Sequence, residues 1–262
     1  MFCIGVFKRK ERDVDLTNAA CLVTGGTKGI GAATAVAFAE RGANVAIVGR
    51  HLDDEAKDVQ RQIEKLGRKA LLIAGDMAKP QDATRSVEET VAKFGTIDLL
   101  VHSAGGPVNG GLLDLTPEAW QNAFDVHVHA IFHLCRAAIP VMKKKKSGSI
   151  ILISSTAGIR GIRSNVAYQA VKGAIPQLTR ALAFEFADDN IRVNCIAPGV
   201  VRTAFHTKMT PETRKHNLDN RIPLHREGTP EQVATLLREV ATNDYITGET
   251  FVIDGGLTMR IC

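Results

Sequence analysis

Tyr168 and Lys172 stand four residues apart, a spacing that puts them on one face of a helix. A phenol with its ordinary pKa near 10 is a poor base at neutral pH. An ammonium about 4 Å away contributes about 4 kcal/mol at an effective dielectric near 20, at most about three pKa units. That would bring the hydroxyl close to working pH for general acid–base chemistry. Many helices carry such a pair as a packed tyrosine and a solvated lysine, so the pair needs partners. Ser154 and Ser155 follow the apolar run Ile150-Ile151-Leu152-Ile153. They therefore sit at a strand's carboxyl end, the edge where open α/β sheets bind ligands. The Ser155 hydroxyl suits a substrate carbonyl that becomes an alkoxide; either serine alone reads equally as a strand-end cap.

Near the start of the chain, Thr24-Gly25-Gly26-Thr27-Lys28-Gly29-Ile30-Gly31 follows an apolar run and opens a helical pattern. Gly25 permits a tight turn, Gly29 lets backbone approach a diphosphate, and Gly31 lets the helix pack close to the sheet. The helix N-terminus offers free N–H groups and a positive dipole end. Glycines at this spacing are weak evidence alone; the strand before and the helix after make them a phosphate cradle. In such a βαβ unit the end of the second strand reaches the adenosine ribose, where an acid would accept the 2′-hydroxyl and repel a 2′-phosphate. Here the residues are Gly49-Arg50-His51. Arg50 is a forked donor suited to phosphate, and Lys28 could lie on the same side. NADP is expected over NAD, with NAD acceptable should Arg50 stack on adenine or face solvent. Asp76, ending the third strand, is placed to accept from the adenine amino group.

These groups need a scaffold. Strand-like runs fall at 20–24, 44–48, 69–75, 99–102, 149–154, 192–196 and 250–253, and helical patterns at 29–41, 53–66, 81–94, 117–142, 165–187 and 230–241. Several strands are continuous apolar runs, the mark of a sheet covered on both faces. The expected fold class is α/β: a Rossmann-like, doubly wound, seven-stranded, mostly parallel sheet with helices on both faces. No repeat or low-complexity linker breaks the pattern. Residues 17–262 are expected to form a single domain behind an extension at 1–16. Residues 202–227 hold no strand pattern, and a long irregular segment is the expected substrate lid. Its Lys208, Arg214, Lys215 and Arg221, with Arg160 and Arg163 before Tyr168, either attract an anionic or carrier-bound substrate or form a solvated basic loop. Phe205, Met209 and Leu218 either wall a substrate or pack the lid.

With 45% hydrophobic and 23% charged residues the chain can bury a full core. Its net charge of +5 includes one dense run, Lys143-Lys144-Lys145-Lys146. That run reads as a solvated helix end favoured by the macrodipole, so nucleic acid is not expected as a partner. The apolar start, residues 1–7, is too short for a signal core or a membrane span. Cys3, Cys21, Cys135, Cys195 and Cys262 form no CxxC pair and are odd in number. A reducing, cytoplasmic setting is expected rather than a disulfide framework. His129 and His133 share a helix face, but no acid or cysteine is placed to complete a metal set, and no metal is expected.

From about residue 17 to 258 the chain resembles the short-chain dehydrogenase/reductase family. The resemblance rests on the Thr24–Gly31 loop, Ser103-Ala104-Gly105, Ser155 thirteen residues before Tyr168, Lys172, Pro198-Gly199, and Thr247-Gly248 with Asp254-Gly255-Gly256. It implies Tyr168 as catalytic acid/base, with Lys172 lowering its pKa and holding the nicotinamide ribose, and Ser155 polarising the carbonyl. It implies Val201 at the nicotinamide carboxamide and Thr203 near the phosphates or the amide. Further cofactor contacts are implied for Gly25, Thr27, Lys28, Gly29, Ile30, Gly31, Arg50, His51, Asp76, Met77, Ser103, Ala104, Gly105, Pro198 and Gly199. Many members are tetramers, so a homotetramer or homodimer is implied, paired through 117–142 and 165–187.

Two departures stand out. His102-Ser103-Ala104-Gly105 replaces the family's Asn-Asn-Ala-Gly, which puts the asparagine hydrogen bonds in doubt. His127, within Asp125-Val126-His127-Val128, occupies the place of the family's fourth catalytic residue, an asparagine that helps anchor a water linked to the lysine. Histidine donates and accepts too, but it is larger and titrates near neutral pH. Activity is expected to survive, with a proton relay altered in geometry or pH dependence. The expected reaction is hydride transfer between NADP(H) and a small-molecule ketone or secondary alcohol, as a ketone or 3-oxoacyl-thioester reductase. The alternatives are an NAD-dependent sugar or small-alcohol dehydrogenase and, in another class, a catalytically weak dinucleotide-binding sensor or scaffold.

Overall fold

In the computed structural model, residues 14–203 and 209–259 are described. Residues 1–13 of the expected extension, Phe205 and Lys208 of the lid, and Cys3 and Cys262 lie outside them. The strands are β1 (Ala20–Thr24), β2 (Asn44–Gly49), β3 (Ala70–Ala74), β4 (Leu99–His102), β5 (Gly148–Ile153), β6 (Ile191–Pro198) and β7 (Thr250–Ile253). They form one sheet in the order β3-β2-β1-β4-β5-β6-β7, with every neighbouring pair parallel. Successive side chains of a strand point to opposite faces. Thus Leu22 and Leu100 join one buried cluster, while Cys21, Val23 and Val101 join the other. The first cluster is closed by α3 (Pro80–Phe94), α5 (Ala130–Lys145) and α6 (Val166–Glu185) through Val87, Leu134 and Ile175. The second is closed by α1 (Gly29–Glu40), α2 (Asp54–Lys65) and α8 (Pro230–Thr242) through Phe38, Ile63 and Leu237.

The single helix expected at 117–142 is divided. It begins as α4 (Pro117–Phe124), widens into a π-helical turn at Asp125–His129, and continues as α5. His102, at the end of β4, reaches into that turn: its Nε2–H donates to the Val126 carbonyl at 3.0 Å. Its Nδ1 accepts from the Thr24 hydroxyl at 2.8 Å. The departure from the family's asparagine therefore supplies a clip between the ends of β1 and β4 and the wide turn. At the end of α5, Lys143 and Lys146 both reach Asp189, at 2.8 and 2.7 Å, and Lys145 pairs with Asp98. The dense lysine run is largely neutralised.

The lid is more regular than expected. It contains α7 (Pro211–His216) and a second π-helical turn, Asn217–Arg221. Its two ends are pinned together where Val201 bridges Gly228 and the Arg202 N–H donates to the Gly228 carbonyl at 2.9 Å. Buried Glu227 adds a triple contact, accepting from Arg202 Nε at 3.0 Å and from Arg214 Nε and Nη2 at 2.9 and 3.0 Å. Among the described residues no helix is long and apolar enough to cross a membrane.

Candidate active site

A cleft of about 1030 Å³ opens along the carboxyl edge of the sheet. Of the residues singled out in the sequence for catalysis or cofactor binding, all line it except Gly31 and His51. His51 is exposed beyond the end of β2, because the chain turns outward there before α2 begins. Gly31 lies beneath the loop for a different reason from the one expected. A Cβ at Gly31 would stand 2.2 Å from the Gly25 carbonyl oxygen, so the missing side chain makes room for the loop's own backbone rather than for the sheet. Gly25 has φ +66°, and a Cβ there would meet the Ala104 backbone at 2.8 Å. The loops after β1 and β4 are thereby pressed together. No side chain caps the start of α1, and its first turn holds no acid. Its leading N–H groups and dipole end face the cleft, which fits a diphosphate. The Thr203 methyl lies 3.2 Å from where a Gly29 Cβ would be, placing Thr203 against this loop.

At the adenosine end, Arg50 lines the cleft at the exposed end of β2, and among the described residues it has no ion-pair or hydrogen-bond partner. Lys28 is different: it pairs with Asp53 at 2.9 Å and with Glu55, and the Asp53 contact leads those that push its pKa up to about 12. Its charge is answered by two acids at the start of α2 while it lines the cleft. Asp76 accepts from the Ala78 N–H at 3.0 Å, and Met77 lines the cleft while belonging to the buried core cluster.

The proton-transfer pair lies one turn apart on α6. Lys172 is buried, and its ammonium donates to the Ile153 carbonyl at 2.7 Å while standing 5.7 Å from the Tyr168 ring centroid. Burial lowers the Lys172 pKa to about 8. Burial also raises the Tyr168 phenol above its ordinary value, opposed by a hydrogen bond with Ser155. The acidified phenol expected from the sequence is therefore not a property of the chain by itself, because desolvation of the buried phenol dominates. The two serines take different duties. Ser155 begins the 3₁₀ turn Thr156–Gly158, its hydroxyl accepting from the Ala157 N–H at 3.1 Å, and lines the cleft. Ser154 also lines the cleft, while its hydroxyl donates to the Lys172 main-chain carbonyl at 2.7 Å and fixes α6 against β5.

His127 is 2% exposed, and its Nε2–H donates to the Gly106 carbonyl at 3.1 Å. Among the described residues its buried Nδ1 has no hydrogen-bond partner, and its ring meets Tyr168 edge-on, 5.9 Å between centroids. Burial first, then the Lys172 charge, pushes its pKa down to about 2. The expectation that it titrates near neutral pH is corrected: this imidazole stays neutral. Gly105, at φ +140°, lies under the ring, and a Cβ there would stand 2.0 Å from His127 Cε1. His102 is likewise buried, its pKa pushed down to about 3.

Of the basic and apolar residues noted in the lid, Met209 and Arg221 line the cleft, whereas Arg214, Lys215 and Leu218 do not, nor do Arg160 and Arg163 before Tyr168. Sequence reasoning missed the amides Asn109, Asn122, Asn165 and Asn217, which also line it. No periodic signal marks them, since each comes from a loop or helix edge that only the fold brings to the cleft. His129 pairs with Asp125 at 2.8 Å, and among the described residues no cluster of three histidines, cysteines or acids could hold a metal.

A family model described as enoyl-(acyl carrier protein) reductase matches residues 25–258. The 3-oxoacyl-[acyl-carrier-protein] reductase FabG of Chlamydia muridarum is 38% identical over 244 residues, 92% of this chain and 98% of that protein. The L-sorbose reductase of Gluconobacter frateurii, solved with NADPH and L-sorbose, superposes with a TM-score of 0.88 at 29% identity, covering 95% of this chain and all of that one. A short-chain dehydrogenase from Burkholderia cenocepacia, solved with NADP, gives 0.87 at 31% identity, covering 93% and 99%. The chain belongs to the short-chain dehydrogenase/reductase family of oxidoreductases, whose nicotinamide dinucleotide cofactor the cleft fits.

Proposed function

We propose that the protein is an NADP(H)-linked reductase of ketones or 3-oxoacyl thioesters. A bound nicotinamide supplies the hydride to the carbonyl carbon. Ser155 holds the carbonyl oxygen, and the Tyr168 phenol delivers a proton to it as the alkoxide forms. Lys172 supports the tyrosinate that remains and holds the ribose. His127, as a neutral donor, fixes the Gly106 backbone beside this group and takes no proton itself. The 38% identical 3-oxoacyl reductase supports the thioester reading, and the L-sorbose reductase supports a small polyol ketone.

The observation that carries the cofactor preference is Arg50, a cation without a partner among the described residues, standing where an NAD enzyme would present an acid. The test is kcat/KM for NADPH and NADH in the wild type and Arg50→Asp. Loss of a charge-assisted phosphate contact should cut NADPH efficiency about 10- to 100-fold while NADH efficiency holds or rises. An unchanged NADPH-to-NADH ratio would overturn the assignment. We also infer that copies of the chain associate through α5 and α6, which leave Phe132 and Phe184 54% and 90% exposed.

A further inference from the structure

The order of the sheet separates the two ends of the cleft. Arg50 and Asp76 close β2 and β3 on one side of Tyr168, and the lid following β6 stands on the other. On the ketone-reductase reading the cofactor takes the Arg50 end, which leaves the lid side for the body of the ketone. Most cations there are already engaged. Arg202 and Arg214 are held by Glu227, Lys215 by Asp219, and Arg226 reaches Gln232. None of these lines the cleft.

Arg221 differs from the ion-paired residues in its partner and from all four in its position. It lines the cleft, and among the described residues no carboxylate pairs with it. Its Nη1 donates to Asn217 Oδ1 at 2.8 Å, one turn back in the π-helical segment. Asn217 is itself only 3% exposed, and its amide also donates to Met209 Sδ at 3.5 Å. The guanidinium is thus aimed by a buried amide and keeps most of its fork of donors for something else. Among the described residues the one carboxylate lining the cleft is Asp76, at the far end. A half-buried cation without a counter-ion carries a desolvation penalty that an arriving anion would offset. Wide π-helical turns recur where side chains are placed for binding.

Resting on the ketone-reductase reading, we infer that Arg221 is the anion-recognising residue of the substrate end, and that the preferred ketones carry a carboxylate or a phosphate. The test gives the purified enzyme, with NADPH and with NADH, a series of 2-, 3-, 4- and 5-oxo carboxylates, each against its methyl ester. A second arm compares a 3-oxoacyl thioester of coenzyme A with the same acyl group on neutral N-acetylcysteamine. In the wild type one anionic ketone should exceed its neutral partner by at least about 10-fold in kcat/KM. Arg221→Met should cut that anionic substrate about 10- to 100-fold and leave the neutral one and the cofactor KM within about twofold, with Arg221→Lys recovering part of the loss. A loss confined to the coenzyme A thioester would identify the anion as phosphate; one confined to an oxo acid, as carboxylate. Equal losses on anionic and neutral partners, or a wild-type preference for the neutral ones, would overturn the inference. Turnover of none of these ketones would count against the reductase reading instead. In that case binding of the oxo acids and coenzyme A to the NADPH complex, followed by nicotinamide fluorescence, still decides about Arg221: equal binding by wild type and Arg221→Met refutes it.

Discussion

His127 carries an imidazole to a place where burial forbids its charge. Its pKa is pushed down to about 2, by desolvation first and by the Lys172 ammonium second. A group whose pKa lies that low is unprotonated at every pH where the enzyme would be assayed. The pH profile of kcat between about 5.5 and 7.5 should therefore have the same shape in the wild type and in His127→Asn, whatever the change in its height. A wild-type inflection near pH 6 that disappears in the variant would show that the ring titrates after all. Residue types and spacing showed where chemistry could occur, and Tyr168, Lys172 and Ser155 do meet in one cleft. Their charge states were not legible. Whether a phenol is made acidic or a histidine kept neutral depends on how completely the fold removes water, and no spacing rule reports that. Lys28 and Arg50 show the same limit: both are cations beside the cleft, but only the fold brings Asp53 and Glu55 to one of them.

At the scale of elements, the strands fell within a few residues of their expected ends because their runs are mostly apolar. Two starts of helices are written in the same way: Thr116-Pro117-Glu118 and Thr229-Pro230-Glu231, each with the threonine hydroxyl accepting an N–H from the first turn. The same triplet at Thr210-Pro211-Glu212 starts α7, and this signal was available inside the segment expected to be irregular. The wide turn at Asp125–His129 was hidden, because the partner for its Val126 carbonyl comes from His102 on another strand. A further contact between elements sets the register of the catalytic helix. A Cβ on Gly158 would stand 2.5 Å from the Lys172 carbonyl oxygen, backbone that cannot swing aside. Gly158→Ala should push α6 away from β5, costing about 1–3 kcal/mol of stability and about 100-fold in kcat through misplacement of Tyr168. Gly67→Ala is the control. Its site has nothing within 4 Å but a φ of +72°, so it should lose about 1 kcal/mol with kcat intact. Thermal unfolding and single-turnover hydride transfer measure the two effects, and a fully active Gly158→Ala would show that this contact does not position Tyr168.

For the whole molecule, His102 and His127 make folding sensitive to mild acid. Both have pKa values far below the ordinary 6.5, at about 3 and about 2. As pH falls through 6.5 the unfolded chain takes up a proton on each ring and the folded chain does not, so the unfolded state gains and stability is lost. From pH 7 to 5.5 the loss should be about 1 kcal/mol per ring. The carboxylates act in a separate window. Glu227, raised by burial but held low on balance by Arg202 and Arg214, and Asp189, held low by Lys143 and Lys146, contribute stability above their unfolded values and lose it only as pH falls below about 5. The histidine effect is thus isolated between pH 5.5 and 7. Urea unfolding at those two values should show wild type losing about 2–3 kcal/mol and His127→Asn roughly half of that. Equal losses in the two proteins would mean that His127 opens to water before the sheet does, and that the neutral imidazole packed on Gly105 is not part of the cooperative core.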